Sequence, residues 1–259
     1  MVPRAAAALL LVASGHASAA HIVWPPPQHI ATGGRALPLS PQFAVTTPAT
    51  ASPRLLAAVA RHAETTIGPA LAAASSAAQD GGEALRELRL EVLSTDEELG
   101  MATDYSYNLT VTQEQGVVRC PSIYGCMYGL ESFAQLLDAG RGVVLHSDVA
   151  IVDAPDFTWR GLMVDAGRRF FPMDTLKDLM TTMAANKLNV LHLHASDFCR
   201  FGVESKLFPN LTASLTGVKG GFYSQADIRA LIALGGEMGI RIVPEFDART
   251  TALLLRDCV

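Results

Sequence analysis

Hydrophobic and polar positions change their rhythm twice along the 259 residues. Leu37 to Thr46 alternates like a half-buried strand, and Leu55 to Ala78 carries Leu56, Val59, Ile67 and Leu71 at helical spacing. Three strand-like runs follow at Leu85–Leu93, Tyr105–Thr112 and Gly116–Arg119. Tyr124 to Leu137 puts Met127, Leu130, Phe133 and Leu137 on one helical face, and Val143 to Val152 returns as a strand. Ahead of these elements, Val23-Trp24-Pro25-Pro26-Pro27 predicts a stiff polyproline-like entry with an aromatic anchor. Strands and helices mixed with hairpin-like neighbours predict a compact α+β domain over residues 20–153.

Asp153-Ala154-Pro155-Asp156 breaks this pattern. Behind it, Gly161 to Asp165 is almost continuously apolar, as a parallel strand covered on both faces would be. A helix with Leu176, Leu179, Met180 and Met183 follows, then a second buried strand, Asn189 to His194. Ser224 and Asp227 predict a capping box opening a helix through Ile228, Leu231 and Ile232. Gly239 is expected to end that helix before a third strand, Ile240 to Asp247. This β-α-β-α-β grammar over residues 154–259 is that of a parallel α/β sheet or barrel. Asp165 and Arg168, Asp197, and Glu245 and Asp247 fall at the carboxyl ends of the three strands, the edge where such architectures bind ligands. Salt bridges and helix caps are the structural alternative for each of them.

Composition narrows the function classes. Apolar residues make up 49% and charged residues 17%, a globular balance. The formal net charge is -5, with no Lys or Arg run to follow a phosphate backbone, so a nucleic-acid partner is not expected. Residues 1–19 read as an export signal: Arg4 near the start, apolar Ala5 to Ala13, then the small-residue triplet Ala17-Ser18-Ala19. The apolar part is about half of the ~20 residues needed to cross a bilayer, so no membrane span is expected. Export permits disulfides and glycans. Cys120, Cys126, Cys199 and Cys258 allow three pairings, of which a local Cys120–Cys126 bond across a turn is one, and none has the spacing of a zinc or redox motif. Asn108-Leu109-Thr110 and Asn210-Leu211-Thr212 are both candidate glycosylation acceptors.

Trp159-Arg160-Gly161-Leu162-Met163-Val164-Asp165-Ala166-Gly167-Arg168 and Asn189-Val190-Leu191-His192-Leu193-His194-Ala195-Ser196-Asp197 resemble the first two barrel strands of glycoside hydrolase family 20. Glu204-Ser205, Phe208-Pro209 and Gly239 through Asp247 continue the match in register, and Val23-Trp24-Pro25 with Gly129 to Phe133 resembles the family's preceding α+β domain. The resemblance implies an α+β N-terminal domain followed by the first three β/α units of a TIM (β/α)8 barrel. It also implies exo-hydrolysis of terminal β-linked N-acetylglucosamine or N-acetylgalactosamine, with no metal and no cofactor. In that family the substrate's own acetamido oxygen is the nucleophile and an Asp-Glu pair orients it and protonates the leaving group.

Carried over residue by residue, Arg168 matches the arginine that grips the terminal sugar, and Asp197 shapes the same subsite. Asp165, His194, Glu204 and Asp247 match supporting positions. Terminal N-acetylhexosamine glycans are the implied partners, a homodimer is common among full-length members, and the compartment is the lysosome or vacuole or the exterior.

The chain departs from the pattern at four places. Leu193 stands where the family usually has Trp, Phe198 where it has a second acid, and no Gly-Asp-Glu motif occurs. Ala248 to Val259 replaces the expected Pro-Gly-His, which implies a frameshift, retained intron or wrong gene model and an inactive product as written. Two rival readings remain: a non-catalytic sugar-binding or regulatory fragment, and a metal-dependent barrel hydrolase using His192-x-His194 on one strand face.

Overall fold

The computed structural model describes residues 23–77, 83–197, 200–215 and 221–247. The export signal, Phe198, Cys199, Cys258 and the segment after Asp247 lie outside them.

The first part is built from β1 (His29–Gly33), β2 (Leu37–Thr46), α1 (Pro53–His62), α2 (Gly68–Ala77), β3 (Leu85–Val92), β4 (Tyr107–Val111) and β5 (Gly116–Cys120). It continues through α3 (Ile123–Gln135), β6 (Leu137–Asp138), β7 (Val143–Val144) and β8 (Asp148–Asp153). These strands form one mixed eight-stranded sheet in the order β1-β8-β4-β5-β3-β2-β7-β6. Its alternation is clean on β4, where Tyr107, Leu109 and Val111 are buried while Asn108 and Thr110 face solvent. Helix α1 starts at Ser52, whose hydroxyl accepts from Leu55 N–H, with Pro53 at the first helical position.

Several elements differ from the sequence expectation. The helix expected over 55–78 is interrupted by a π-helical turn, Ala63–Ile67. The strand expected over 143–152 is split into β7 and β8, and β1 pairs with β8 through a register the sequence did not reveal. Helix α3 is buried on nearly every side, because the sheet packs on one flank and the second part of the chain on the other. Trp24 is 60% exposed, and it is Val23 that enters the core. The indole still holds the entry in place by donating to Asn186 Oδ1 at 3.0 Å.

The second part comprises β9 (Gly161–Asp165), α4 (Met173–Ala185), β10 (Val190–Asp197), β11 (Arg200–Phe201), α5 (Gln225–Met238) and β12 (Arg241–Phe246). Strands β9 and β12 lie parallel on either side of β10, and β11 pairs antiparallel with its end. Helices α4 and α5 cover one face, burying Leu176, Met180, Met183 and Leu231 against Val164, Leu191, Leu193 and Ala195. The capping box at Ser224 and Asp227 is formed, and Gly239 closes α5 in the left-handed region at φ 71°. Contrary to expectation, the sheet is covered on its helix side, and its other face is more open: on β10 it carries His192, whose side chain is 31% exposed. Met163 of β9 and Phe246 of β12 are 55% and 45% exposed, and each of these strands pairs with β10 alone among the described residues. Ile232 also turns outward from α5.

Buried polar contacts lock the two parts together. Tyr105 donates to Gly239 O at 3.0 Å, and Tyr128 to Lys187 O at 2.8 Å. Arg160 donates to Lys187 O and to the Tyr128 hydroxyl, with its guanidinium over the Tyr105 ring. Lys187 has the positive φ of 56° that presents its carbonyl to both donors, while its ammonium reaches Tyr107 and Asp153.

Candidate functional site

The carboxyl end of the parallel strands gathers most of the residues singled out in the sequence. Asp165 ends β9, His194 and Asp197 lie on the last turn of side-chain alternation of β10, and Glu245 faces His194 across the β10–β12 ladder. The chain leaves β9 through Ala166-Gly167, where Gly167 N–H donates to His194 O at 2.7 Å. A Cβ at Gly167 would lie 2.7 Å from the Ser196 carbonyl carbon, so this close pass of backbone on backbone requires glycine. The tight exit places Arg168 directly over the strand ends.

Arg168 is held by two carboxylates. Its Nη1 pairs with Asp165 Oδ2 and its Nη2 with Asp197 Oδ2 at 2.6 Å, while its backbone N–H donates to Asp165 Oδ1 at 2.9 Å. The Asp197 residue is only 8% exposed, whereas the Arg168 side chain is 69% exposed, so a fixed guanidinium is presented outward from a buried anchor. Partial burial pushes the Asp165 carboxyl up, but hydrogen bonds from Arg168 more than reverse this and hold it below its ordinary value. The same pairing with Asp165, reinforced by Asp197, raises Arg168.

Behind the arginine runs a second chain of contacts. His194 Nε2 lies 3.3 Å from Asp197 Oδ2, and its Nδ1 lies 3.2 Å from Glu245 Oε2. The same Glu245 oxygen meets His192 Nε2 at 2.7 Å. Burial pulls the His194 imidazole down, yet the carboxylates of Glu245 and Asp197 outweigh it and raise the value. Glu245 is correspondingly lowered, first by His194. Asp247 is tied to the strand end by its N–H, which donates to the buried Ser196 hydroxyl at 3.0 Å.

Donor atoms of Asp165, His194 and Asp197 lie within 4.8 Å of one another, a spacing that also suits a cation. Here the positive charge between the two carboxylates is the Arg168 guanidinium. His192 turns to Glu245 rather than joining that group.

Glu204 stands apart from the cluster. Its carboxylate accepts from Gln225 N–H at 2.8 Å and its carbonyl from the Gln225 amide at 2.6 Å, so it holds the first turn of α5. Arg200 was not anticipated. It lies over the Phe170 ring, donates to Ala166 O and Gly221 O, and so pins the loop that carries Arg168. A single arginine three residues past a strand has no distinguishing pattern, and only the paired register of Asp197 with Arg200 explains its position. Glu245 was legible as a strand-end acid, but its role as the common partner of two histidines was not.

Elsewhere, Asn108 and Asn210 are both solvent-exposed, one on the open face of β4 and one in the 3-10 turn Pro209–Leu215. Cys120 and Cys126 form a disulfide, resolving one of the three open pairings for these two cysteines. Among the described residues no helix is long and apolar enough to cross a membrane.

This arrangement has close counterparts in known proteins. Residues 157–252 match the family model "Glycosyl hydrolase family 20, catalytic domain", and residues 23–136 match "beta-acetyl hexosaminidase like". The beta-hexosaminidase subunit A2 of Dictyostelium discoideum is 39% identical over 163 residues, covering 62% of this chain and 30% of that protein. Subunit B2 of the same organism is 32% identical over 232 residues, covering 87% of this chain and 40% of the relative. Among solved structures, the Flavobacterium johnsoniae chitobiase superposes with a TM-score of 0.71 at 28% identity, covering 87% of this chain and 34% of that one. The chain thus spans 30–40% of the length of these two curated relatives. Two consecutive family models, a shared fold and relatives with one common description lead to one assignment: the chain belongs to glycosyl hydrolase family 20.

Proposed function

We propose that this chain carries the sugar-gripping half of a β-N-acetylhexosaminidase site, acting on terminal β-linked N-acetylglucosamine or N-acetylgalactosamine. The observation that carries the reading is Arg168, fixed between Asp165 and the buried Asp197 with its guanidinium turned to solvent. A planar fork of donors held in this way suits two neighbouring sugar hydroxyls. Asp197 and Asp165 fix its direction, and His194 and Glu245 brace Asp197 from behind. In the substrate-assisted scheme an Asp-Glu pair orients the acetamido group and protonates the leaving oxygen. The sequence has no Gly-Asp-Glu segment, so the residues assigned here bind and orient the sugar rather than move the proton.

In this reading residues 20–153 are the α+β domain and 154–259 the first β/α units of a (β/α)8 barrel, with β9, β10 and β12 as successive strands. The Cys120–Cys126 disulfide and the two exposed Asn-x-Thr acceptors support passage through the secretory pathway.

Calorimetric titration of the chain with N-acetylglucosamine, alongside hydrolysis of a chromogenic N-acetyl-β-glucosaminide, tests the proposal. Saturable binding that is lost in Arg168→Ala is expected, with no turnover. Binding that ignores Arg168→Ala would overturn the assignment of the site. Turnover by the purified chain would overturn the view that it lacks the proton-transfer groups.

A further inference from the structure

A second cavity lies far from the strand ends, on the seam between the two parts. It measures 340 Å³ and is walled by α1 and the π-helical turn on one side, α3 beneath, and α4 and α5 on the other. That volume falls at the lower end of the ~300–1,000 Å³ usual for small-molecule pockets. Arg61, His62 and Glu131 converge on it, with Thr65 and Thr66 hydroxyls alongside and the side chains of Met127 and Met238 forming apolar wall.

The chemistry of this wall is selective. Glu131 accepts from Gln135 Nε2 through one oxygen, and its other oxygen meets His62 Nε2 only at 3.6 Å. Arg61 donates to a carbonyl, Glu237 O, rather than to a carboxylate. Loss of water pushes all three titratable groups toward their neutral forms: Arg61 down, Glu131 up, and His62 down to about 4, where Arg61 adds to the effect. His62 and Glu131 are therefore not a full ion pair near neutral pH. The imidazole offers one donor and one acceptor, as hydroxyls do.

An anion would meet Glu131 and Glu64, a cation would meet Arg61, and an apolar molecule would displace water from this wall without replacing its hydrogen bonds, although Arg61, Glu131 and Thr65 each keep a partner within the protein. What satisfies them together is a molecule that both donates and accepts at several points, carries no charge, and has a C–H face for the methionines. The π-helical turn strengthens the case. It inserts extra backbone between α1 and α2 at the cost of regular hydrogen bonding, and such turns concentrate at functional sites. Here it is the element that brings Glu64, Thr65 and Thr66 to the cavity.

We propose that this cavity is a binding site for a neutral polyhydroxylated molecule of monosaccharide size, separate from the Arg168 cluster. A ligand in it touches both parts of the chain and thereby strengthens the seam. The proposal does not rest on the function assigned to Arg168.

The full chain, with 13C-labelled methionine methyls, gives a local reading of both places. Met127 and Met238 line the cavity, whereas Met163 lies on β9 two residues before Asp165. Titration with glucose and, separately, with N-acetylglucosamine is expected to shift Met127 and Met238 saturably, and to do so equally in Arg168→Ala. The shifts are expected to weaken at least tenfold in Glu131→Gln and to vanish in Thr181→Trp. Thr181 is an exposed position on the cavity rim, so a plug there leaves the core alone. Methyl shifts at Met163 alone would overturn this proposal and support the strand-end site. Shifts at Met127 and Met238 without any at Met163 would do the reverse. Signals that stay still at every methionine, or that survive Thr181→Trp, would also overturn it.

Discussion

Lys187 Nζ lies 3.2 Å from Asp153 Oδ2, with side-chain exposures of 7% and 14%, and this pair joins the end of β8 to the turn that starts β10. Burial lowers the lysine, and Asp153 restores part of the loss. The Tyr107 hydroxyl, itself hydrogen-bonded to Ser132, accepts from the same ammonium.

Removing one member of a buried pair leaves the other charged and desolvated, so Lys187→Met is expected to cost about 3–5 kcal/mol. Urea unfolding checks this. If the pair contributes to folding as described, Lys187→Met with Asp153→Asn together will cost less than the two single losses added.

For Arg168 the expected result concerns binding rather than stability. Arg168→Lys keeps the charge but loses the fork that engages Asp165 and Asp197 at once. N-acetylglucosamine affinity is expected to fall about tenfold or more, as for loss of charged hydrogen bonds, with the unfolding midpoint almost unmoved. Equal affinity in the lysine variant would show that the bidentate geometry is not what binds.

The His194–Glu245 contact carries a pH signature. His194 is raised above its ordinary 6.5, so its contribution is full below that value and is lost as pH rises through the folded value. Glu245 is lowered below 4.5, so its contribution is present above that value and is lost as pH falls through the folded one. The stability gap between the wild type and Glu245→Gln should therefore be widest between pH 4.5 and 6.5 and narrow on both sides. Chemical denaturation across that range decides it, and a gap independent of pH would rule the coupling out.

At the two ends of α5, opposite substitutions test opposite ideas. Ser224→Ala removes the capping hydroxyl and is expected to cost about 1 kcal/mol. Gly239→Ala forces a side chain into φ 71° with its Cβ 3.0 Å from the Tyr124 ring. That strain is expected to cost about 1–2 kcal/mol or more. Thermal unfolding of both variants provides the check.

The elements of the second part were the most legible in the sequence, because apolar runs, a capping box and a terminal glycine all mark boundaries locally. Coverage was not legible: Gly161 to Asp165 reads the same whether one face is covered or both. The strand-end acids were found because polar residues interrupt apolar runs there. Their partners were harder, since only the parallel register sets Glu245 opposite His194 and within reach of His192, which is 53 residues from it in sequence. Glu204 was legible only as a matched position. Its side chain accepts from Gln225 N–H at the start of α5, a contact that no sequence pattern announced. The cavity on the seam left no sequence signal at all, because its walls come from α1, α3, α4 and α5 and none of these carries a recognisable pattern for it.

The donation from Tyr105 to Gly239 O has a consequence for how the molecule comes apart. The segment leading into β4 reaches across to the residue that terminates α5, and Tyr128 and Arg160 both hold the carbonyl of Lys187. Peeling one part away would expose these backbone acceptors before any strand is lost. Melting is then a single event: calorimetry should record one peak, and limited proteolysis should find no resistant piece that corresponds to either part alone.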